Sequence, residues 1–171
     1  MAHRIPAPLA LLALVGIYVA LAVAARFAQP ADFTPAAASA NFENQAQLVG
    51  FHAPEETLRP GRGAAVLLHW LALDNPAVDY KVFVHLIDAD GRLWAQHDGE
   101  PGFFFSPMTR WQAGEVADDT HILEWQGEPP PGRYQLWAGL YDPATGERLA
   151  VLGPDGQPAA DQVLLMEFTI P

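Results

Sequence analysis

Several groups of side chains in this sequence have the types and spacing to do chemistry. Asp98 and Glu100, with Thr109 and Trp111 further on, bracket one long irregular stretch. A carboxylate pair there would suit acid–base work or a cation. The competing reading is structural: Asp98 accepts backbone N–H bonds and pins the loop, while Trp111 plugs the end of the domain. No nucleophile or base partner stands at a recognisable spacing, so the structural reading is preferred. His69 and His85 fall at matching phases of two apolar runs, but zinc would need a third ligand near them. A strand histidine more often packs with one nitrogen satisfied. His97 and His121 stand at no ligand spacing. Asp88-Ala89-Asp90-Gly91 has the look of a calcium loop, yet such a loop needs roughly 6 oxygen ligands over a longer span. A tight hairpin is the expectation there.

A further group is aromatic. Phe83, His85, Trp94, Gln135, Trp137 and Tyr141 fall at positions that can share one face of a sheet. Flat rings with interleaved polar groups suit a sugar, whose C–H edges stack on aromatic planes while its hydroxyls take donors and acceptors. The alternative is that this face is covered, or is the other half of the core. Phe103-Phe104-Phe105, between Pro101 and Pro107, either dips into a membrane or partner or folds back as a cap. No G-x-S-x-G, H-E-x-x-H, phosphate-binding glycine loop or dinucleotide fingerprint occurs in the sequence. The expectation is a non-enzymatic protein with no cofactor and no metal.

The elements that must position these side chains are strands. From Ala46 onward, short runs rich in Val, Leu, Phe, Tyr and Trp are separated by Gly, Pro and Asp. The runs are 47–52, 64–72, 80–88, 92–97, 121–125, 134–141, 148–152 and 162–170. Asp88-Ala89-Asp90-Gly91 and Asp142-Pro143-Ala144-Thr145-Gly146 read as hairpin turns. Period-two alternation puts Val82, Val84 and Leu86, and Tyr134, Leu136, Ala138 and Leu140, on a core side. Phe83, His85, Gln135, Trp137 and Tyr141 then face away. Such strands predict an all-β, antiparallel β-sandwich, jelly-roll or immunoglobulin-like.

The bulk composition bounds what this body does. The chain has 171 residues, no cysteine, and a formal net charge of −11. Without cysteine there are no disulfides, thiolate metal sites or thiol nucleophiles. Without clustered Lys or Arg, nucleic acid and anionic lipid are disfavoured as partners. Leu9 to Ala25 is apolar throughout, with Arg4 before it. That pattern predicts a membrane-spanning helix with the following domain outside the cytoplasm. A cleaved signal peptide is the rival, since Ala22-Val23-Ala24 has the small-x-small form of a cleavage site; the domain would then be secreted. The expected organisation is an anchor or signal over 1–27, a linker rich in Ala and Pro over 28–45, and the sandwich over 46–171.

Several of these pieces, taken together, resemble an accessory β-sandwich domain of bacterial membrane proteins. It occurs at the C-terminus of multi-pass glycosyltransferases of the dolichyl-phosphate-mannose type, and in small exported proteins. The pieces are Leu48-Val49-Gly50-Phe51, then Pro60-Gly61 before an apolar strand ending His69-Trp70, Tyr80-Lys81-Val82-Phe83-Val84-His85-Leu86 with its Asp-Ala-Asp-Gly turn, Gln96-His97-Asp98 before Pro101, and Thr109-Arg110-Trp111 before Gly114-Glu115. Pro131-Gly132-Arg133-Tyr134 and Gly139-Leu140-Tyr141-Asp142 follow, ahead of Thr145-Gly146-Glu147-Arg148-Leu149. The resemblance implies a sandwich fold outside the membrane. It does not carry transferase chemistry, because the multi-pass region is missing. The functional expectation is a module binding a carbohydrate or a partner protein. A structural role in an envelope assembly is the alternative, and a glycan hydrolase the weaker one.

Overall fold

The computed structural model describes residues 39–102 and 107–171. The apolar segment 9–25, the linker up to residue 38 and Phe103, Phe104 and Phe105 lie outside the described residues. Eleven strands run along the described chain: β1 (Ala40–Phe42), β2 (Ala46–His52), β3 (Ala65–Ala72), β4 (Lys81–Asp88), β5 (Leu93–Gly99), β6 (Val116–Ile122), β7 (Glu124–Trp125), β8 (Gly132–Tyr141), β9 (Val151–Leu152), β10 (Pro158–Ala160) and β11 (Val163–Ile170). Two single 3₁₀ turns, Glu55–Thr57 and Met108–Arg110, are the only helical residues among those described. No helix among them is long and apolar enough to cross a membrane.

The strands form two antiparallel sheets. One has the order β10-β9-β1-β2-β3-β6 and the other β11-β8-β4-β5-β7. We call them sheets A and B. Their inner faces make one apolar core. From sheet A come Phe42, Leu48, Val66, Leu68 and Trp70; from sheet B come Val82, Val84, Leu86, Leu136, Ala138 and Leu140, all fully buried. The alternation of β4 and β8 therefore holds as the sequence predicts, because register on a one-sided core fixes every second residue.

Three elements depart from the strand pattern read in the sequence. β1 lies inside the stretch expected to be linker, and its Ala40 and Phe42 are buried. β6 begins five residues before the expected run at 121, and it carries Asp118, Asp119 and Thr120. Such polar residues mimic a loop when their buried partners, which are distant in sequence, are unknown. β10 is a three-residue exposed strand with Pro158 at its start, consistent with its place at the sheet edge.

The turn at Asp88 fixes the β4–β5 hairpin. One carboxylate oxygen accepts the backbone N–H groups of Asp90 and Arg92, and the other accepts the Trp94 indole N–H at 2.7 Å. Gly91 has φ +80°, which a side chain would strain. These donors hold the Asp88 carboxyl below its ordinary range, the Trp94 bond first among them. The carboxylate is thus committed to the turn rather than to a cation.

Candidate functional site

The outer face of sheet B is built from β4, β8 and the end of β5. Direct cross-strand pairs are His85 with Trp137, Phe83 with Gly139, Ile87 with Gln135, and Phe83 with Asp98. Four of the aromatic-face residues share this face as the alternation implies. His85, Trp137, Gln135 and Tyr141 are all half-buried. The Trp137 indole N–H donates to Gln135 Oε1 at 3.3 Å, and Gln135 Nε2 donates to Glu167 Oε1 at 2.6 Å. A 290 Å³ depression lined by Ala89, Arg133, Tyr134, Gln135 and Glu167 lies against this polar chain. His85 Nε2 and Asp98 Oδ1 stand 3.3 Å apart. The Tyr141 phenol is pushed above its usual range by burial and, second, by the Asp98 charge.

Two of the expected face residues are not open. Phe83 is 1% exposed although it points outward. Its ring spreads across Gly139, where a Cβ would overlap it, and the Arg148 guanidinium lies 4.3 Å above its centre. Arg148 is held in turn by Asp161 and Gln162 at 3.2 and 3.1 Å. Trp94 joins the core cluster, with its N–H spent on Asp88 and Arg92 stacked on it. A register shift at Leu86/Ile87 separates the Leu93 pairing from the regular β4–β5 ladder, so the two-residue period counted from Gln96 does not reach Trp94.

The irregular stretch after β5 is organised differently from the sequence expectation. Asp98 sits on the outer face across from Phe83, 3.3 Å from the His85 ring, rather than capping backbone N–H groups. The pinning carboxylates are Asp119, which accepts the Gly102 N–H at 3.1 Å, and Asp79, which accepts the Thr109 N–H at 2.8 Å. Hydrogen bonds from Thr109 hold the Asp79 carboxyl below its ordinary value. Trp111 is buried at 2% and belongs to the core. Glu100 is half-buried just past the end of β5.

Sequence spacing gave no hint of the best-organised polar cluster. His97 on β5 and His121 on β6 bring their Nδ1 atoms to 2.8 Å, joining sheet B to sheet A. His121 Nε2 lies 2.7 Å from Asp119 Oδ2, and the Trp70 indole N–H also reaches that oxygen, at 3.3 Å. Asp119 and His121 are each 1% exposed. On the outer side of sheet A, His69 Nδ1 lies 2.6 Å from Asp118 Oδ1. His69 and His85 therefore belong to different sheets and face different carboxylates. No group of three or more His, Asp or Glu side chains that could hold a metal ion occurs among the described residues.

No family model matches the chain, and no curated protein matches it. Among solved structures, a copper-bound variant of FetP from uropathogenic Escherichia coli strain F11 is similar at 12% identity, over 81% of this chain and 97% of that one, with a TM-score of 0.32. A likeness that slight bears on neither fold nor function.

Proposed function

We propose that this protein is a non-catalytic binding module whose ligand, a carbohydrate, docks on the outer face of sheet B. The observation that carries the reading is the half-buried Trp137 with its N–H already held by Gln135, directly across from His85, which itself stands 3.3 Å from Asp98. A ring fixed by its neighbours loses little freedom when a sugar stacks on it, and the adjacent amide and carboxylates match hydroxyl groups. The open part of the face excludes Phe83, roofed by Arg148, and Trp94, which is core. The non-catalytic part of the reading is supported by the placement of the strongest acid–base cluster between the sheets, where Asp119 and His121 are each 1% exposed and His97 is half-buried. Residues 9–25 are proposed to anchor the module in the membrane with the sandwich outside the cytoplasm. The wider proposal is the accessory-domain architecture that the sequence resembles, jelly-roll or immunoglobulin-like in connectivity.

A glycan array probed with the full-length protein in mild detergent tests the binding reading, with Trp137→Ala alongside. Binding to a defined sugar that the variant loses is the expected result. Silence across the array, or binding indifferent to Trp137, removes it. Mass spectrometry of the mature N-terminus tests the anchor: a chain starting near Ala25 means a cleaved leader. An assembly role has one observation in its favour, since Val116 and Ile122, at 62% and 51% exposure, both lie on β6 at the edge of sheet A.

A further inference from the structure

We infer that the Asp119–His121–His97 chain is a proton-operated latch between the two sheets, closed at neutral pH and opened when the histidine pair is forced to take two additional protons. This stands independently of any ligand on sheet B.

Donor and acceptor roles follow from the contacts. Asp119 already accepts from Trp70 Nε1–H and the Gly102 N–H, so it also accepts from His121, which donates through Nε2. His121 Nδ1 then carries a lone pair, and His97 must donate to it from its own Nδ1. The neutral pair thus holds one proton between the two Nδ1 atoms. A first extra proton can sit on His97 Nε2 without disturbing that bond. A second can go only to His121 Nδ1, and it puts two N–H groups head to head at a separation of 2.8 Å. The bond then breaks, and with it the described side-chain link between β5 and β6.

The surroundings set where this happens. Burial, and then the neighbouring His121, hold His97 below its ordinary value, while the carboxylates of Glu124, Asp119 and Asp98 oppose that shift. Those three, with His121, are the charged or titratable groups that act on His97 from β5, β6 and β7. Asp118 is engaged with His69 on the opposite side of sheet A. Once the bond is open, both rings are available to take a proton. While the closed pair takes up no proton, opening releases two basic sites to the acid. The opening constant then climbs by up to about a hundredfold per pH unit, falling to about tenfold once the closed pair holds one proton.

The experiment is amide hydrogen exchange on the full-length protein from pH 7.5 to 5, corrected for intrinsic rates, read at Gly102 and along β6. The expected wild-type result is the steep rise just described as the pH is lowered across this range. His97→Asn places an amide donor where Nδ1 was and cannot titrate, so protection at pH 7.5 should persist and the slope should not exceed about tenfold per unit. A wild-type opening constant flat across the range overturns the latch, and so does an unchanged slope in the variant. If His97→Asn fails to fold, ring-nitrogen shifts of the wild type still decide. His121 protonated at Nε2 and bare at Nδ1 supports the latch; the opposite tautomer refutes it.

Discussion

Gly139 has no spare room above it. It faces Phe83 directly across β4–β8, and a Cβ would overlap that ring and come within 3.2 Å of the Asp161 carbonyl oxygen. Gly139→Ala should therefore cost about 1–3 kcal/mol, seen as a lower denaturant midpoint. Adding Phe83→Leu should recover part of that loss, because the clash is shared by the two sites. Arg148 is the other half of this arrangement. Its contact with the Phe83 ring is worth about 0.5–1 kcal/mol, and Arg148→Ala should lose that while exposing the ring. The phase of Phe83 could be read from the sequence because strand alternation is local. Its cover could not, because a guanidinium arriving from a different turn leaves no periodic trace. The same holds for His97 and His121, which share no motif and meet only because two strands of different sheets approach.

At the scale of elements, the β4–β5 hairpin and the stretch after β5 are both held by carboxylates. Asp88 and Asp79 each sit below the ordinary aspartate value of 3.8, through the hydrogen bonds they accept. A depressed carboxylate stabilises the fold above its unfolded value, and that contribution is lost as pH falls through the folded one. Acid unfolding should thus show a component below about pH 4, separate from the histidine window. Asp88→Asn should shrink that component and lower the midpoint at neutral pH, since an amide cannot both cap the turn and accept from Trp94 without turning an N–H toward one of the donors. Denaturation curves at pH 7 and pH 3.5 check both. The hairpin was legible because Asp and Gly announce it. β6 was not, since its polar residues serve partners on β3, β5 and the chain around Gly102.

For the whole molecule, 20 acidic residues against 9 Lys and Arg make self-repulsion a standing cost of the compact state. Raising NaCl from low to roughly 0.5 M shortens the Debye length to a few ångströms and should raise the melting temperature, as differential scanning calorimetry would show. A melting point that falls with salt would mean that ion pairs such as Arg148–Asp161 outweigh the net charge. The two-sheet architecture was legible from alternation and turn chemistry together. Its exact strand count was not, because β1, β7, β9 and β10 are each two or three residues long and too short to show a period.

The place where the chain enters the body has a mechanical consequence. β1 lies between β2 and β9, inside sheet A rather than at its edge. Tension applied at Ser39 would therefore fall on a strand paired on both sides. Tension along that strand loads its ladder bonds in shear, so they must rupture together rather than peel one at a time. A pull at that point is therefore shared between two ladders rather than one.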